Sequence, residues 1–235
     1  MRIDLNCDLG EGAPHDAELM PLITSANIAC GAHAGDEETM RRTLLLAKEH
    51  GVSAGAHPGY MDRENFGRRE LSLSPAEIFL LVREQLRALR TLAAEQGSRI
   101  THVKPHGALY NQAARDRLIA DAIAEAVHDE DPSLMLFGLA GSESMAAAGA
   151  CRLQAVAEVF ADRRYRPDGS LVPRTEADAM ITDPAESCDQ VLRFIRKEKT
   201  DTVCLHGDGP QAVLFAQELR SALHRAGVDV RSLRE

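Results

Sequence analysis

Four histidines, one lysine and a row of carboxylates stand where apolar segments of this chain end, and together they could build one polar reaction site. The stretches are Asp4-Leu5-Asn6-Cys7-Asp8, Cys30-Gly31-Ala32-His33, His57-Pro58-Gly59, Val103-Lys104-Pro105-His106-Gly107, Phe160-Ala161-Asp162-Arg163, residues 169–174 and Leu205-His206-Gly207-Asp208. Side chains on a strand alternate with period two, so Asp4, Asn6 and Asp8 share one side while Ile3, Leu5 and Cys7 share the other. Unpaired carboxylates facing an interior are costly to desolvate. Asp4 is therefore expected to pair with a basic neighbour. Asp8, at the end of the row beside Gly10 and Gly12, is the candidate general base or metal ligand.

His33, His57, His106 and His206 occupy matching strand-end positions. Histidine with carboxylate serves as general acid and base or holds a divalent cation, and the pattern is compatible with either. Lys104 and His106 alternate with Val103 and Pro105, so both point to the same side. A buried lysine must find an anion or lose its proton. It suits an oxyanion or a substrate carboxylate, and equally a salt bridge to Asp8 or Asp208. Asp208, two residues after His206, has the look of an orienting partner for it. Arg68-Arg69 and Arg163-Arg164 punctuate two long loops and offer guanidinium forks for a small anion. Cys7, Cys30 and Cys204 lie in apolar strand patterns and are expected to fill gaps in the core rather than act as nucleophiles.

Strands are expected to begin near Arg2, Ser25, Val52, Ile100, Leu134, Ala155, Thr202 and Val228. Between them, Ser74-Pro75-Ala76-Glu77 and Asp183-Pro184-Ala185-Glu186 combine an N-cap, a first-turn proline and an acidic third residue, and Asp36 caps a helix that stops at Gly51. Residues 118–127 and 210–226 carry amphipathic helical patterns. Strand and helix thus alternate seven or eight times, which right-handed crossovers close into a barrel, expected with seven strands. A doubly wound open sheet is the runner-up, weakened by the lack of any G-x-G-x-x-G or G-x-x-x-x-G-K-[ST]. The long connections, residues 58–73 and 162–182, read as active-site loops.

The 235 residues suffice for one α/β domain spanning 1–235. Thirty-six acidic against 27 basic residues give a formal charge of −9, with the basic ones scattered, which argues against nucleic acid and for a small-molecule substrate. The start of the chain shows no apolar leader and no run is long enough to span a bilayer, so a cytoplasmic protein without membrane contact is expected. Five cysteines without a C-x-x-C pair indicate neither a zinc ribbon nor a disulfide framework.

Longer blocks of these motifs, including Asp4 to Glu11 (DLNCDLGE), Ser25-Ala26-Asn27-Ile28-Ala29-Cys30-Gly31, His33-Ala34-Gly35-Asp36, His57-Pro58-Gly59-Tyr60, Phe66-Gly67-Arg68-Arg69, the run from Val103 to Asn111 (VKPHGALYN), that from Glu158 to Tyr165 (EVFADRRY), and His206-Gly207-Asp208, resemble the LamB/YcsF family. That family corresponds to the A component of bacterial ATP-dependent 5-oxoprolinase. The resemblance implies a seven-stranded β/α barrel akin to the glycoside hydrolase/deacetylase superfamily. It implies hydrolysis of 5-oxo-L-proline to L-glutamate, with ATP as co-substrate, Mg²⁺ with the ATP, and partner subunits B and C. Nucleotide binding is expected of the partners as much as of this chain, and homo-oligomerisation is left open. Asp8, Lys104, His106, His206 and Asp208 are the expected catalytic residues, and Asn6, His33, His57, Arg68, Asp162 and Arg163 the expected substrate-binding residues. Deacetylase relatives hold a metal through one aspartate and two histidines, a triad the resemblance does not map onto positions here. A metal-dependent carbohydrate or N-acetyl deacetylase is the rival enzyme reading, disfavoured by three tyrosines, six phenylalanines and no tryptophan. A non-catalytic subunit of a larger assembly is the rival of another class.

Overall fold

Seven parallel strands form a closed ring in the computed structural model, which describes residues 1–197, 200–209 and 211–234. They are β1 (Arg2–Leu9), β2 (Ser25–Ala29), β3 (Ser53–His57), β4 (His102–Val103), β5 (Met135–Leu139), β6 (Gln154–Phe160) and β7 (Thr202–His206). Strands β2 to β7 pair in sequence order, and β1 pairs with both β2 and β7, so the ring has no open edge and the doubly wound alternative is excluded. A short eighth strand, β8 (Asp229–Val230), pairs with Arg2 and Ile3 below the point where β2 begins.

Helices α1 (Asp16–Leu19), α2 (Glu37–His50), α3 (Pro75–Glu95), α4 (Gly107–Arg115), α5 (Arg117–Glu130), α6 (Glu143–Ala150), α7 (Pro184–Lys197) and α8 (Ala212–Arg225) connect the strands. The Ser74 capping box forms in both directions, Ser74 Oγ accepting from Glu77 N–H at 3.3 Å and Glu77 Oε2 accepting from Ser74 N–H at 2.7 Å. Asp36 Oδ1 accepts from Thr39 N–H at 2.8 Å, and Gly51 ends α2 in the left-handed conformation. α8 falls within the expected 210–226, although Pro210 lies outside the described residues. α4 and α6 carry no strong start signal: neither has a side-chain cap, and α4 follows the site motif directly.

Odd residues of β1 (Ile3, Leu5, Cys7, Leu9) point out into the shell between ring and helices, where they join Ile28, Val82, Leu86, Ile123 and Val203 in the main apolar cluster. The even residues point into the lumen and are polar. From below, Asp4, Ser25 and Thr202 form one level, Asn6, Asn27, His102, Glu158 and Cys204 the next, and Asp8, His57, Lys104 and His206 the mouth. On the β5 and β6 side the lining turns apolar, with Met135, Phe137 and Val156 packed against Leu233 of the C-terminal tail. That tail crosses the floor: Ser232 Oγ meets Ser53 Oγ at 2.6 Å and Arg234 reaches the Thr101 and Ser133 carbonyls.

The lumen admits His102 because β3 has no side chain at residue 55. A Cβ on Gly55 would lie 2.2 Å from the His102 ring, which is stacked on Phe137 at 4.3 Å and cannot retreat. Gly55→Ala should therefore destabilise the protein by about 1–3 kcal/mol, the usual range for overpacking. Denaturant titration of the variant checks it; an unchanged midpoint at unchanged slope would show that the ring has room to shift.

Candidate active site

Lys104 is the hub of the lumen. Its Nζ lies 2.9 Å from Asp8 Oδ1, 3.0 Å from Glu158 Oε1, 3.2 Å from Asn6 Oδ1 and 3.0 Å from Cys204 Sγ. Burial opposes its charge, but Asp8, Cys204 and Glu158 raise its pKa well above the ordinary lysine value. For Asp8 the same balance runs the other way: burial is outweighed by His57 and Lys104, which hold the carboxyl well below its usual range. Asn27 adds a 2.8 Å hydrogen bond to Asp8 Oδ1 and a 2.7 Å one to Asn6 Oδ1, and His102 Nε2 meets Asn27 Oδ1 at 2.9 Å.

Asp4 has no basic partner, contrary to the sequence expectation. Its carboxylate accepts from the hydroxyls of Thr24 (2.8 Å), Ser25 (2.7 Å) and Thr202 (2.5 Å), and burial raises its pKa despite them. Three hydroxyl donors, from β2, the residue before it and β7, replace a cation there. Asn6, expected at the substrate, is fully buried beneath Lys104, with its Nδ2 given to Glu158 and Thr202 and its Oδ1 taken by Asn27 and Lys104. It braces the site and has no free polar atom for a ligand. Lys104 likewise sits under Asp8 with its protons engaged. Cys7 and Cys30 lie in the outer core as expected, whereas Cys204 faces the lumen, where burial pushes its thiol up well above the ordinary value.

At the mouth, Glu11 joins Asp8 and three histidines. Glu11 Oε1 is 3.2 Å from His33 Nε2, 3.1 Å from His106 Nδ1 and 3.5 Å from His57 Nε2, and Asp8 Oδ2 is 3.4 Å from His57 Nε2. Two backbone carbonyls fix the rings. His57 Nδ1 donates to Lys104 O at 2.7 Å and His106 Nε2 donates to Phe66 O at 2.8 Å. If both rings are neutral, His57 Nε2 and His106 Nδ1 carry lone pairs, and these atoms stand 3.0 Å apart with two carboxylates around them. One positive charge must reconcile them: a proton on His57, whose pKa Asp8 raises against burial, or a divalent cation. Glu11, His33, His57 and His106 bring one ligand atom each within 4.8 Å of the others and fit a metal by donor chemistry, since His57 and His106 have their second nitrogens tied to carbonyls in the manner of metal-bound histidine. His33 stacks on His106 at 3.7 Å, held by the backbone of Gly67: a Cβ there would come within 2.8 Å of His33 and 3.0 Å of His106.

His206 completes the mouth from β7. Its Nδ1 meets both oxygens of Asp162 at 2.9 Å, its ring lies parallel to Phe160 at 5.5 Å, and a ring nitrogen lies within 4.8 Å of Asp8 and Cys204. Asp162, not Asp208, is therefore its orienting partner. Burial opposes charge on Asp162, but His206 lowers its pKa below the usual value. Asp208 instead bridges Arg68 at 2.9 Å and Arg174 at 3.1 Å. Arg163 is buried and gives Nη2 to Val172 O at 2.6 Å. Asp8, His33, Lys104, His106, His206 and Asp208 thus gather at one end of the barrel. Glu11, Glu158, Asn27 and His102 are not among the sequence candidates, whereas Arg174 closes the 169–174 stretch that is. Alternation along β6 places Glu158 with Phe160 on the lumen side, a signal that was there to be read.

The LamB/YcsF family model matches residues 3–235. A crystal structure of a lactam utilization protein from Thermus thermophilus is similar over 99% of this chain and 100% of that one, at 42% identity and a TM-score of 0.92. The catalytic domain of a peptidoglycan N-acetylglucosamine deacetylase from Eubacterium rectale matches over 99% and 89% at 10% identity, TM-score 0.56. A family 4 carbohydrate esterase pseudoenzyme from Bacillus anthracis matches over 99% and 64% at 13% identity, TM-score 0.52. The last two share the barrel, and at that distance the likeness extends to the fold alone.

Burial lowers the pKa of His33 to about 4, that of His102 to about 3, and that of His106 as well. The unfolded chain takes up protons at these positions below about pH 6.5 that the folded one refuses, so stability falls as pH drops through that value. His57, raised, works in the opposite sense: its contribution is full below pH 6.5 and lost as pH rises through its folded pKa. Three groups outweigh one. Metal-free protein should lose stability progressively from about pH 6.5 downward, by up to about 1.4 kcal/mol per pH unit for each unopposed histidine. Denaturant melts between pH 7.5 and 4.5 measure it; an acid limb confined to pH below 4 would mean that these histidines accept protons in the fold.

Proposed function

The chain belongs to the LamB/YcsF family, and on that premise we propose that its barrel mouth hydrolyses a small cyclic amide, 5-oxo-L-proline, to L-glutamate, with ATP hydrolysis, in a complex with subunits B and C. The observation that carries the proposal is the pairing, within 4.8 Å, of a carboxylate locked in its charged form (Asp8) with a histidine aimed by its own carboxylate (His206 with Asp162). The lactam-utilization role of the Thermus relative supports the substrate class.

Ring opening adds water across the amide: hydroxyl to the carbonyl carbon, proton to the departing nitrogen. A five-membered lactam is unstrained, and phosphorylation of its carbonyl oxygen by ATP would supply the missing drive. A general base works best with a pKa near the working pH. Asp8, held far below it, suits positioning and charge stabilisation. The proton therefore goes to His206 Nε2, with Asp162 fixing the ring by the logic of an oriented imidazole base. Lys104 keeps Asp8 anionic. A divalent cation held by Glu11, His33, His57 and His106, beside Asp8, would supply Lewis-acid polarisation of the carbonyl. N-acyl deacetylation is the second reading, favoured by that same donor cluster.

His206→Asn should keep the fold and lower glutamate formation by about 10²–10⁴-fold in the reconstituted three-subunit system. Loss of less than threefold would remove His206 from the base role. The isolated chain with ATP and Mg²⁺ should release little or no glutamate and gain turnover on mixing with its partners, because it carries no recognisable phosphate-cradling loop. Robust turnover by the isolated chain would overturn the need for partners.

A further inference from the structure

The two long loops meet over the strand ends at a single oxygen atom. Asp208 Oδ2 accepts from Arg68 Nη2, on the 58–73 loop, at 2.9 Å and from Arg174 Nη1, on the 162–182 loop, at 3.1 Å. A guanidinium is a fork built to take both oxygens of a carboxylate. Here each fork gives one N–H to the same oxygen, and among the described residues neither makes another protein hydrogen bond. As a stability device the bridge is weak, since the Arg68 and Asp208 side chains are 40% and 35% exposed.

A third guanidinium, Arg163, lies close enough to Arg174 to feel its charge. Arg163 is buried, spends Nη2 on the Val172 carbonyl, and leaves Nε buried without any partner. Burial first and the charge of Arg174 second lower its pKa to about 10. Asp162, the nearby carboxylate, is committed to His206. Asp208 thus stands between two guanidiniums, with a third close to Arg174, an excess of positive charge beside a site whose deeper carboxylates are covered: Asp8 and Glu11 side chains are only 7% and 9% exposed.

We propose that Arg68 and Arg174 are the carboxylate clamp of this site, and that Asp208 is an internal carboxylate that occupies the clamp and exchanges for the carboxylate of the ligand. The inference rests on the reading of the ligand as a small cyclic amide and adds what selects it: a carboxylate on the ring, bound bidentately where Asp208 is bound through one oxygen. The exchange conserves charge at the rim, one carboxylate entering as another swings to solvent, so the loops are tied again through the ligand. Uncharged lactams lack the group that displaces Asp208.

Calorimetric titration of the full chain with 5-oxoproline and with its carboxamide tests this. Because the occupied clamp reduces apparent affinity by the fraction of molecules left free, Asp208→Asn should bind 5-oxoproline about tenfold or more tightly than the natural chain, with the carboxamide unchanged. Arg68→Met and Arg174→Met should each weaken the acid by about tenfold or more and spare the carboxamide. Circular dichroism confirms that each variant is folded. Equal or weaker binding of the acid by Asp208→Asn overturns the proposal, as does an equal effect on acid and carboxamide; in that last case the lactam reading survives. A short dicarboxylate such as glutarate separates the other failure: if it shows the pattern and 5-oxoproline does not bind, the clamp stands and the lactam reading falls. No carboxylate binding to either the natural chain or Asp208→Asn overturns the clamp outright.

Discussion

An ammonium group in the middle of a closed barrel has no water to solvate it and must be neutralised where it stands. Lys104 meets that requirement with Asp8 and Glu158, contributed by strands on opposite sides of β7. Nearly every other lumen residue follows from that one demand. Asn6 and Asn27 supply the amide donors and acceptors left over around the two carboxylates, Thr202 and Ser25 hold Asp4 below them, and His102 closes the chain of hydrogen bonds on the β4 side. A fully connected polar network of this kind rigidifies what it contains, whereas one missing member would leave a buried charge exposed to the full desolvation penalty.

That network also explains why the lining is lopsided. Where β5 and β6 face the lumen below Glu158, the side chains are Met135, Phe137 and Val156, and the floor is closed by Leu233 rather than by polar groups. The apolar half is a wall against which Phe137 stacks the His102 ring, and Phe160 performs the same service for both Lys104, at 5.1 Å, and His206. The polar half carries charge and the apolar half fixes its geometry. A site assembled on strand ends and braced from below can hold its groups more closely than one built on loops.

Much of this was legible in the sequence, because two periodicities were clean. Alternation along Asp4-Leu5-Asn6-Cys7-Asp8 and Val103-Lys104-Pro105-His106 placed the lumen residues, and caps such as Ser74 and Asp36 placed helices to within a residue or two. What escaped were relations rather than residues. Nothing local to Asp162 says that it, and not the nearer Asp208, will face His206, since the pairing crosses 44 positions. Glu11 stands between two glycines, past the alternation of the strand, and no periodicity marks it; the positive φ of Gly10 and Gly12 turns the chain there. A lone carboxylate such as Asp4 asks for a cation; three hydroxyls on and beside the adjacent strands answer equally well, and hydroxyl residues carry no charge pattern to signal it.

The site is graded from fixed to exchangeable. Where Lys104 meets Asp8 and Glu158, each charge has a partner within 3.0 Å, so that group has one arrangement. Beside it at the mouth, Glu11, His57 and His106 are placed with equal care yet hold no positive charge between their facing lone pairs, a deficit that a proton or a divalent cation can make good. At the rim the balance reverses, with Arg68 and Arg174 on Asp208 and Arg163 near Arg174. A molecule with a carboxylate at one end and an electron-poor carbonyl at the other matches that gradient along its length, since its anionic end answers the rim while its reacting end lies against Asp8 and His206. The direction of the gradient, anion outward and electrophile inward, is set by the chain before any ligand arrives.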